Sequence, residues 1–431
     1  MPPKESVDLV IEARWVLPIA PVNTALPDHA VAVADGKVVA LGPVAEVSAL
    51  FEARERVVRS SHALMPGLVN AHTRAATTLL RGLPVYGPRR RWMTDTVLPV
   101  ARPCMSSEFV REGTQLAVAE MLRAGITAFA DMYLFPEEAA RVASTARIRA
   151  AIGLPVTDGP TPWAESTTGH LAKAEQLWDE YSSNPWVCLY FAPHDAFGEA
   201  DSTLTRVRRV ADELDARITM YLAPAAVSES PRSPLARLQA MGLLGPGFTA
   251  VHPGGLDAEA LEIAAASGIN VVACQQAHLR MGEGICPVGE LDARGLNVGL
   301  GTDSALSVGA LDILAEARMT ALLSQLSAER VLHMATLGGA TALGMNPFIG
   351  SIEPGKAADL IAIDLSALAC QPDAPRTADA IVFGATRESV SDVWTSGRAA
   401  VSEGHLLTFD EQELLALSQR WRKRLVTGGV S

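Results

Sequence analysis

The residues of this chain best suited to chemistry stand where apolar runs stop. Leu68-Val69-Asn70-Ala71 runs into His72 and then Arg74, and the apolar run 126–130 reaches Asp131. The run 186–191 is followed by Pro193-His194, and 218–220 leads to Tyr221. Thr249-Ala250-Val251 ends at His252, the run 269–274 precedes His278, and 296–300 leads through Gly301-Thr302 to Asp303. If these runs are parallel strands closed into a barrel, their C-terminal ends share one mouth, where catalytic groups of such barrels sit. Any one of these histidines alone reads as a satisfied loop residue. The set together reads as a pocket, and three or more histidines with a carboxylate there ordinarily suggest a metal.

The elements needed to position them are legible. Between Met65 and about Leu343, some eight apolar strand runs alternate with stretches of helical periodicity, such as 109–124 and 204–216. Alternation of this kind indicates a parallel sheet, and eight units favour closure over an open sheet. Residues 8–58 instead read as short strands, with Ala34-Asp35-Gly36-Lys37 as a hairpin turn. After Asn346 short strands return, among them Asp359-Leu360-Ile361-Ala362-Ile363, followed by a charged helix over 411–425. Neither β-unit is large enough to bury a core alone, so the two should combine. The expected fold is α/β: a (β/α)8 TIM-like barrel over 65–346, with a small β-sandwich formed from 1–64 and 347–431.

Composition narrows the function classes. Of 431 residues, 48% are hydrophobic and 19% charged, which suits a large buried core. A formal charge of −12 argues against binding a phosphate backbone, which needs a basic face. No apolar run reaches the roughly 18 residues a membrane span requires. The beginning, with Glu5 and Asp8, lacks the layout of an export signal. Five scattered cysteines without a Cys-x-x-Cys pair read as reduced and buried. These features predict a cytoplasmic protein that acts on a small molecule and contacts neither nucleic acid nor membrane.

The segment Met65-Pro66-Gly67-Leu68-Val69-Asn70-Ala71-His72-Thr73 resembles the first-strand motif of the amidohydrolase superfamily, in the branch of methylthioadenosine/S-adenosylhomocysteine deaminases and triazine hydrolases. Thr78-Leu79-Leu80-Arg81-Gly82, Ala192-Pro193-His194, Gly301-Thr302-Asp303 and the stretch from Gly350 to Leu360 are similar to the same branch, so the resemblance spans nearly the whole chain. It implies a homodimer. It also implies one zinc held by a His-x-His pair after the first strand, a histidine after the fifth and an aspartate after the eighth. A glutamate three residues beyond the fifth-strand histidine would shuttle protons, and a sixth-strand histidine would help activate water. Here His72, His252 and Asp303 match, but the second histidine of the pair is Arg74, the fifth-strand ligand falls on Tyr221, and the shuttle falls on Pro224.

Arginine is permanently charged and has no lone pair for a metal. Beside a divalent ion it would be repelled by roughly 8 kcal/mol at about 4 Å and an effective dielectric of about 20. The sequence therefore leads to the expectation of a dismantled zinc site with no cofactor, in which Arg74 takes the electrostatic place of the metal through a bidentate bond to Asp303. Catalysis would rest on His72, Arg74, His252, Asp303 and Tyr221, and substrate binding on His194, His278, Gln276, Arg81 and Trp92. The loop Arg89-Arg90-Arg91 reads as a solvated basic loop or as a lid favouring an anionic ligand. Three functions remain open: a metal-independent enzyme acting on C–N bonds of a small heterocyclic or anionic substrate, a ligand-binding or partner pseudoenzyme, and a zinc deaminase with a rearranged site using His72, His252 and Asp303, with His194 or His278 as a further candidate ligand.

Overall fold

The computed structural model of the chain describes residues 4–85, 87, 89–194, 198–222, 234–372 and 376–429. Eight strands form one parallel sheet in which each pairs with the next in chain order. They are Leu68–Thr73, Ile126–Asp131, Arg149–Val156, Val187–Pro193, Arg217–Tyr221, Phe248–Val251, Asn270–Ala273 and Asn297–Leu300. Every residue of the first, second, sixth and seventh is buried. Such strands read as continuous apolar runs because helices cover one face and the barrel interior covers the other.

The barrel closes between its first and eighth strands. Thr73 bridges to Asp303, the Asp303 N–H donates to the His72 carbonyl (3.1 Å), and the Arg74 N–H reaches the Asp303 carbonyl (3.4 Å). Behind them the buried Asn70 amide donates to Thr302 Oγ1 (2.8 Å) and accepts from the Thr302 N–H (3.0 Å). Gly301 lets the strands meet: a Cβ there would stand 2.9 Å from the backbone nitrogen and Cβ of His72.

Helices return the chain to the bottom of the barrel, and their starts are set by small polar caps. Ser106 accepts from the Phe109 N–H and starts the helix Ser107–Arg123, Asp257 starts Ala258–Ser267, and Asp312 starts Ile313–Ser324. Gly268, in the left-handed region at φ 64°, ends the second of these.

The remaining strands form a mixed eight-stranded sheet drawn from both ends of the chain. Its keystone is the 16-residue strand Phe51–Pro66, which pairs in parallel with Glu5–Val16 and antiparallel with Leu360–Asp364. The Asp35-Gly36 turn joins Leu26–Ala34 to Lys37–Pro43, with both turn residues at positive φ, as a tight hairpin requires. Arg149, at the foot of the third barrel strand, donates to Asp359 (2.7 Å) and to Ser396 Oγ (2.8 Å), tying this sheet to the barrel. Among the described residues no helix is long and apolar enough to cross a membrane.

Candidate functional site

The seam that closes the barrel also builds the site, because it sets His72 and Asp303 side by side. His252, one residue beyond the sixth strand, completes the group. His72 Nε2 and His252 Nε2 each lie 3.7 Å from Asp303 Oδ1, too long for hydrogen bonds. The two rings stand edge to face with centroids 5.5 Å apart. His252 (φ 54°) and Asp303 (φ 57°) both leave their strands in the left-handed region, which few non-glycine residues adopt.

The two carboxylate oxygens of Asp303 are used differently. Oδ2 accepts from Ser307 Oγ (2.9 Å) and from both terminal nitrogens of Arg89 (3.2 and 3.3 Å). Oδ1 has no hydrogen-bond partner among the described residues, and neither do the ring nitrogens of His72, His252 and His278. All four side chains are buried. Buried polar atoms are nearly always satisfied, so a convergent set of orphaned nitrogens and one carboxylate oxygen calls for an explanation. A cation is one that fits: His72, His252 and Asp303 each offer an atom within 4.8 Å of the others, as do His252, His278 and Glu283.

The protonation states fit as well. Burial drives His72 below its ordinary value and His252 well below it, both against the pull of Asp303, while His278 falls to about 4. All three are therefore neutral near pH 7, the form that donates to a metal. Burial alone would raise Asp303, but Arg89 and the two imidazoles outweigh it and hold the carboxyl well below the usual range. At the end of the second strand, burial pushes Asp131 up to about 7, although its Oδ1 accepts the Ala75 N–H (2.7 Å).

Not every expected residue joins this group. Arg74 comes near, with Nε 3.8 Å from Asp303 Oδ1, but that is no hydrogen bond. The expected bidentate Arg74–Asp303 pair is thus corrected: the guanidinium seated on Asp303 is Arg89, from the basic loop. The Arg90 side chain lies outside the described residues, as does Pro224, while Arg91 is exposed and pairs with Asp95. Tyr221 packs on His252 (5.1 Å between centroids) and aims its hydroxyl at Glu283 rather than at Asp303. The His278 ring also packs on His252, tilted by 46° with centroids 4.7 Å apart.

His194 stands exposed just beyond the fourth strand, outside the buried cluster. Arg81 pairs with Glu120 at the surface. Trp92 is buried in an apolar cluster with Leu80, Phe109 and Trp421 and donates to the Pro84 carbonyl (2.8 Å). The Gln276 side-chain amide donates to Glu316 (2.9 Å). The contacts of the last three thus lie outside the His72–His252–Asp303 cluster.

Two site residues escaped the sequence reading: Arg89 as the partner of Asp303, and Glu283 altogether. Glu283 Oε1 accepts from Arg89 Nε (2.9 Å), and Tyr221 donates to the same carboxylate over long distances of 3.3 and 3.4 Å. The local signal for Glu283 is its place between Gly282 and Gly284, both at positive φ, in the turn that ends the helix Gln275–Met281.

Comparisons with known proteins agree with this geometry. The amidohydrolase family pattern matches residues 63–400. A 5-methylthioadenosine/S-adenosylhomocysteine deaminase of Teredinibacter turnerae is 36% identical, over 97% of this chain and 98% of its own length. The solved adenosine deaminase of Xanthomonas campestris, with bound zinc, is 38% identical and superposes with a TM-score of 0.95 over 99% of this chain and 100% of that one. Atrazine chlorohydrolase of Arthrobacter aurescens shares the fold, with a TM-score of 0.88 at 21% identity over 96% of this chain and 99% of that one. The expectation of a site with no cofactor does not survive. A relative this similar holds zinc, and His72, His252 and Asp303 converge here with unsatisfied atoms.

Proposed function

Since the chain belongs to the amidohydrolase family, we propose that it is a metal-dependent hydrolytic deaminase acting on an amino-substituted heterocycle of the adenosine type. The observation that carries this reading is the buried convergence of His72, His252 and Asp303 Oδ1, three donors with no other partner among the described residues. The names of the similar proteins point to the reaction and the substrate class: 5-methylthioadenosine/S-adenosylhomocysteine deaminase and adenosine deaminase.

In this reading His72, His252 and Asp303 hold a divalent cation, which when bound supplies Lewis acidity and a water acidified to a pKa of about 7. The chain's own residues do the rest. Burial keeps both imidazoles neutral and available. Ser307 and Arg89 fix Asp303 through Oδ2, so that Oδ1 faces the histidines without rotating away. His278, neutral and packed beside His252, carries ring nitrogens that suit a polar edge of a heterocycle. Burial of the cluster excludes bulk water, which strengthens each electrostatic contact made there.

The test uses protein purified without chelator. Metal analysis should find about one zinc equivalent per chain, the stoichiometry of a mononuclear catalytic site. Ammonia release should be measured from adenosine, 5′-methylthioadenosine and S-adenosylhomocysteine. Dipicolinate should abolish it and zinc restore it, and His252→Ala should lose both metal and turnover. A protein that takes up no metal on reconstitution and releases no ammonia from any of the three would refute the proposal.

A further inference from the structure

Hydrolytic deamination needs a group that moves protons between water, ring and departing amine, and the metal ligands cannot do this while they are engaged. We propose that Glu283, supplied by the turn after the seventh strand, is that acid–base catalyst. This inference rests on the deaminase reading above.

Several observations converge on Glu283. Its side chain is 10% exposed, and it offers an oxygen within 4.8 Å of ring nitrogens of His252 and His278. The cradle is built for it. The Glu283 N–H donates to the His278 carbonyl (3.0 Å), and a Cβ at Gly254 would come within 2.9 Å of the Glu283 carbonyl oxygen, so only glycine lets the His252 loop lie against this turn. Arg89 and Tyr221 both donate to the carboxylate, which orients it while leaving lone pairs for a further proton. Asp131, the competing carboxyl, is fully buried and spends Oδ1 on the Ala75 N–H. The position three residues beyond Tyr221 is Pro224, which has no acid–base group.

The proton accounting is complete without any other reagent. Water adds to the amino-bearing carbon: one O–H bond breaks, a C–O bond forms, and Glu283 takes the proton and passes it to the adjacent ring nitrogen. It then takes the hydroxyl proton and gives it to the amino group. The C–N bond breaks, ammonia leaves, a carbonyl remains, and Glu283 has given back every proton it took.

The experiment compares zinc-loaded wild type with Glu283→Gln, which keeps size and shape, and Glu283→Asp, which keeps the charge. General acid–base catalysis is worth about 10²–10⁴-fold, so Glu283→Gln should lower kcat for adenosine by at least about 100-fold. With 6-chloropurine riboside, whose chloride leaves without a proton, Glu283 is still needed for the addition of water, so the loss should persist but be smaller than for adenosine, and Glu283→Asp should recover part of the adenosine rate. A second readout does not depend on turnover. Wild type should bind coformycin, whose tetrahedral hydroxyl-bearing carbon imitates the water adduct, at least about 100-fold more tightly than inosine. Glu283→Gln should lose most of that margin with zinc content and inosine affinity unchanged. A kcat for adenosine within about threefold of wild type, or a chloro-substrate rate that does not fall at all, would overturn the assignment. Wild type that neither releases ammonia nor binds coformycin would instead overturn the deaminase reading, and this inference with it.

Discussion

Two guanidiniums and two imidazoles surround the Asp303 carboxylate, and their charges govern what else the site can hold. Arg89 sits on Oδ2 and leaves Oδ1 to the histidines; Arg74 approaches Oδ1 itself at 3.8 Å and competes there with any cation. Arg74→His should therefore remove a repelling charge and add a neutral donor. Zinc affinity, measured by competition with a chromophoric chelator, should rise by at least about tenfold, which needs only ~1.4 kcal/mol of the repulsion. Unchanged or weaker binding would show that Arg74 swings clear of the ion and does not oppose it. His72, His252 and Asp303 were legible in the sequence because each ends an apolar strand. Arg89, which opens the short helix Arg89–Trp92, was legible only as part of a basic segment, and Glu283, from a turn, was not, because contacts across the mouth have no local periodicity. The charge of Arg74 led to the expectation of no metal, which fails because the unsatisfied atoms of His72, His252 and Asp303 converge in the folded chain, a feature that only the assembled barrel displays.

Whole elements, not single contacts, bring these groups within reach. The first and eighth strands meet through Gly301, where a methyl group would strike the His72 backbone and Cβ. Gly301→Ala should thus cost about 1–3 kcal/mol by overpacking, seen as a lower denaturation midpoint. It should also weaken zinc binding, because the strain falls on a ligand. The short helix Gln275–Met281 is held by Glu316, which accepts from the backbone of Gln275 and Gln276. Burial pushes Glu316 from 4.5 up to about 8, so the folded protein favours its protonated form. The stability it contributes is complete below about pH 4.5 and is lost as pH rises through about 8, with a slope of up to ~1.4 kcal/mol per pH unit. Glu316→Gln should flatten that slope relative to wild type in urea titrations run from pH 5 to 8. Equal slopes would show that Glu316 is ionised throughout. Elements themselves read well from sequence: the strand 126–131 was found to the residue. The helix expected over 109–124 begins at Ser107 because Ser106 caps it. The parallel pairing of Glu5–Val16 with Phe51–Pro66 left no such trace, since partners some 46 residues apart are chosen by the assembled sheet.

At the scale of the molecule, chemistry and stability occupy opposite ends of the barrel, as is usual for this architecture. His72, His252 and Asp303 stand at the strand exits, while Arg149 opens the third strand at the other end and locks the barrel to the mixed sheet. Arg149 donates to Asp359 (2.7 Å), Ser396 Oγ (2.8 Å) and the Pro185 carbonyl (3.1 Å), and its guanidinium lies over the Trp186 ring at 5.1 Å. Asp359 in turn accepts the Ser396 N–H (2.7 Å), and its carbonyl accepts the Gly67 N–H just before the first strand. Both charged groups are largely withdrawn from water, so removing one strands the other. Arg149→Met should cost about 3–5 kcal/mol in denaturant unfolding, whereas Arg149→Met with Asp359→Leu should recover much of the loss, because no buried charge is then left unpaired. Zinc content and kcat per folded molecule should stay at wild-type levels in both variants, since neither residue touches the mouth. A fall in kcat without a fall in stability would mean that the joint between sheet and barrel also sets the geometry of the site, and that the two ends are coupled through the strands.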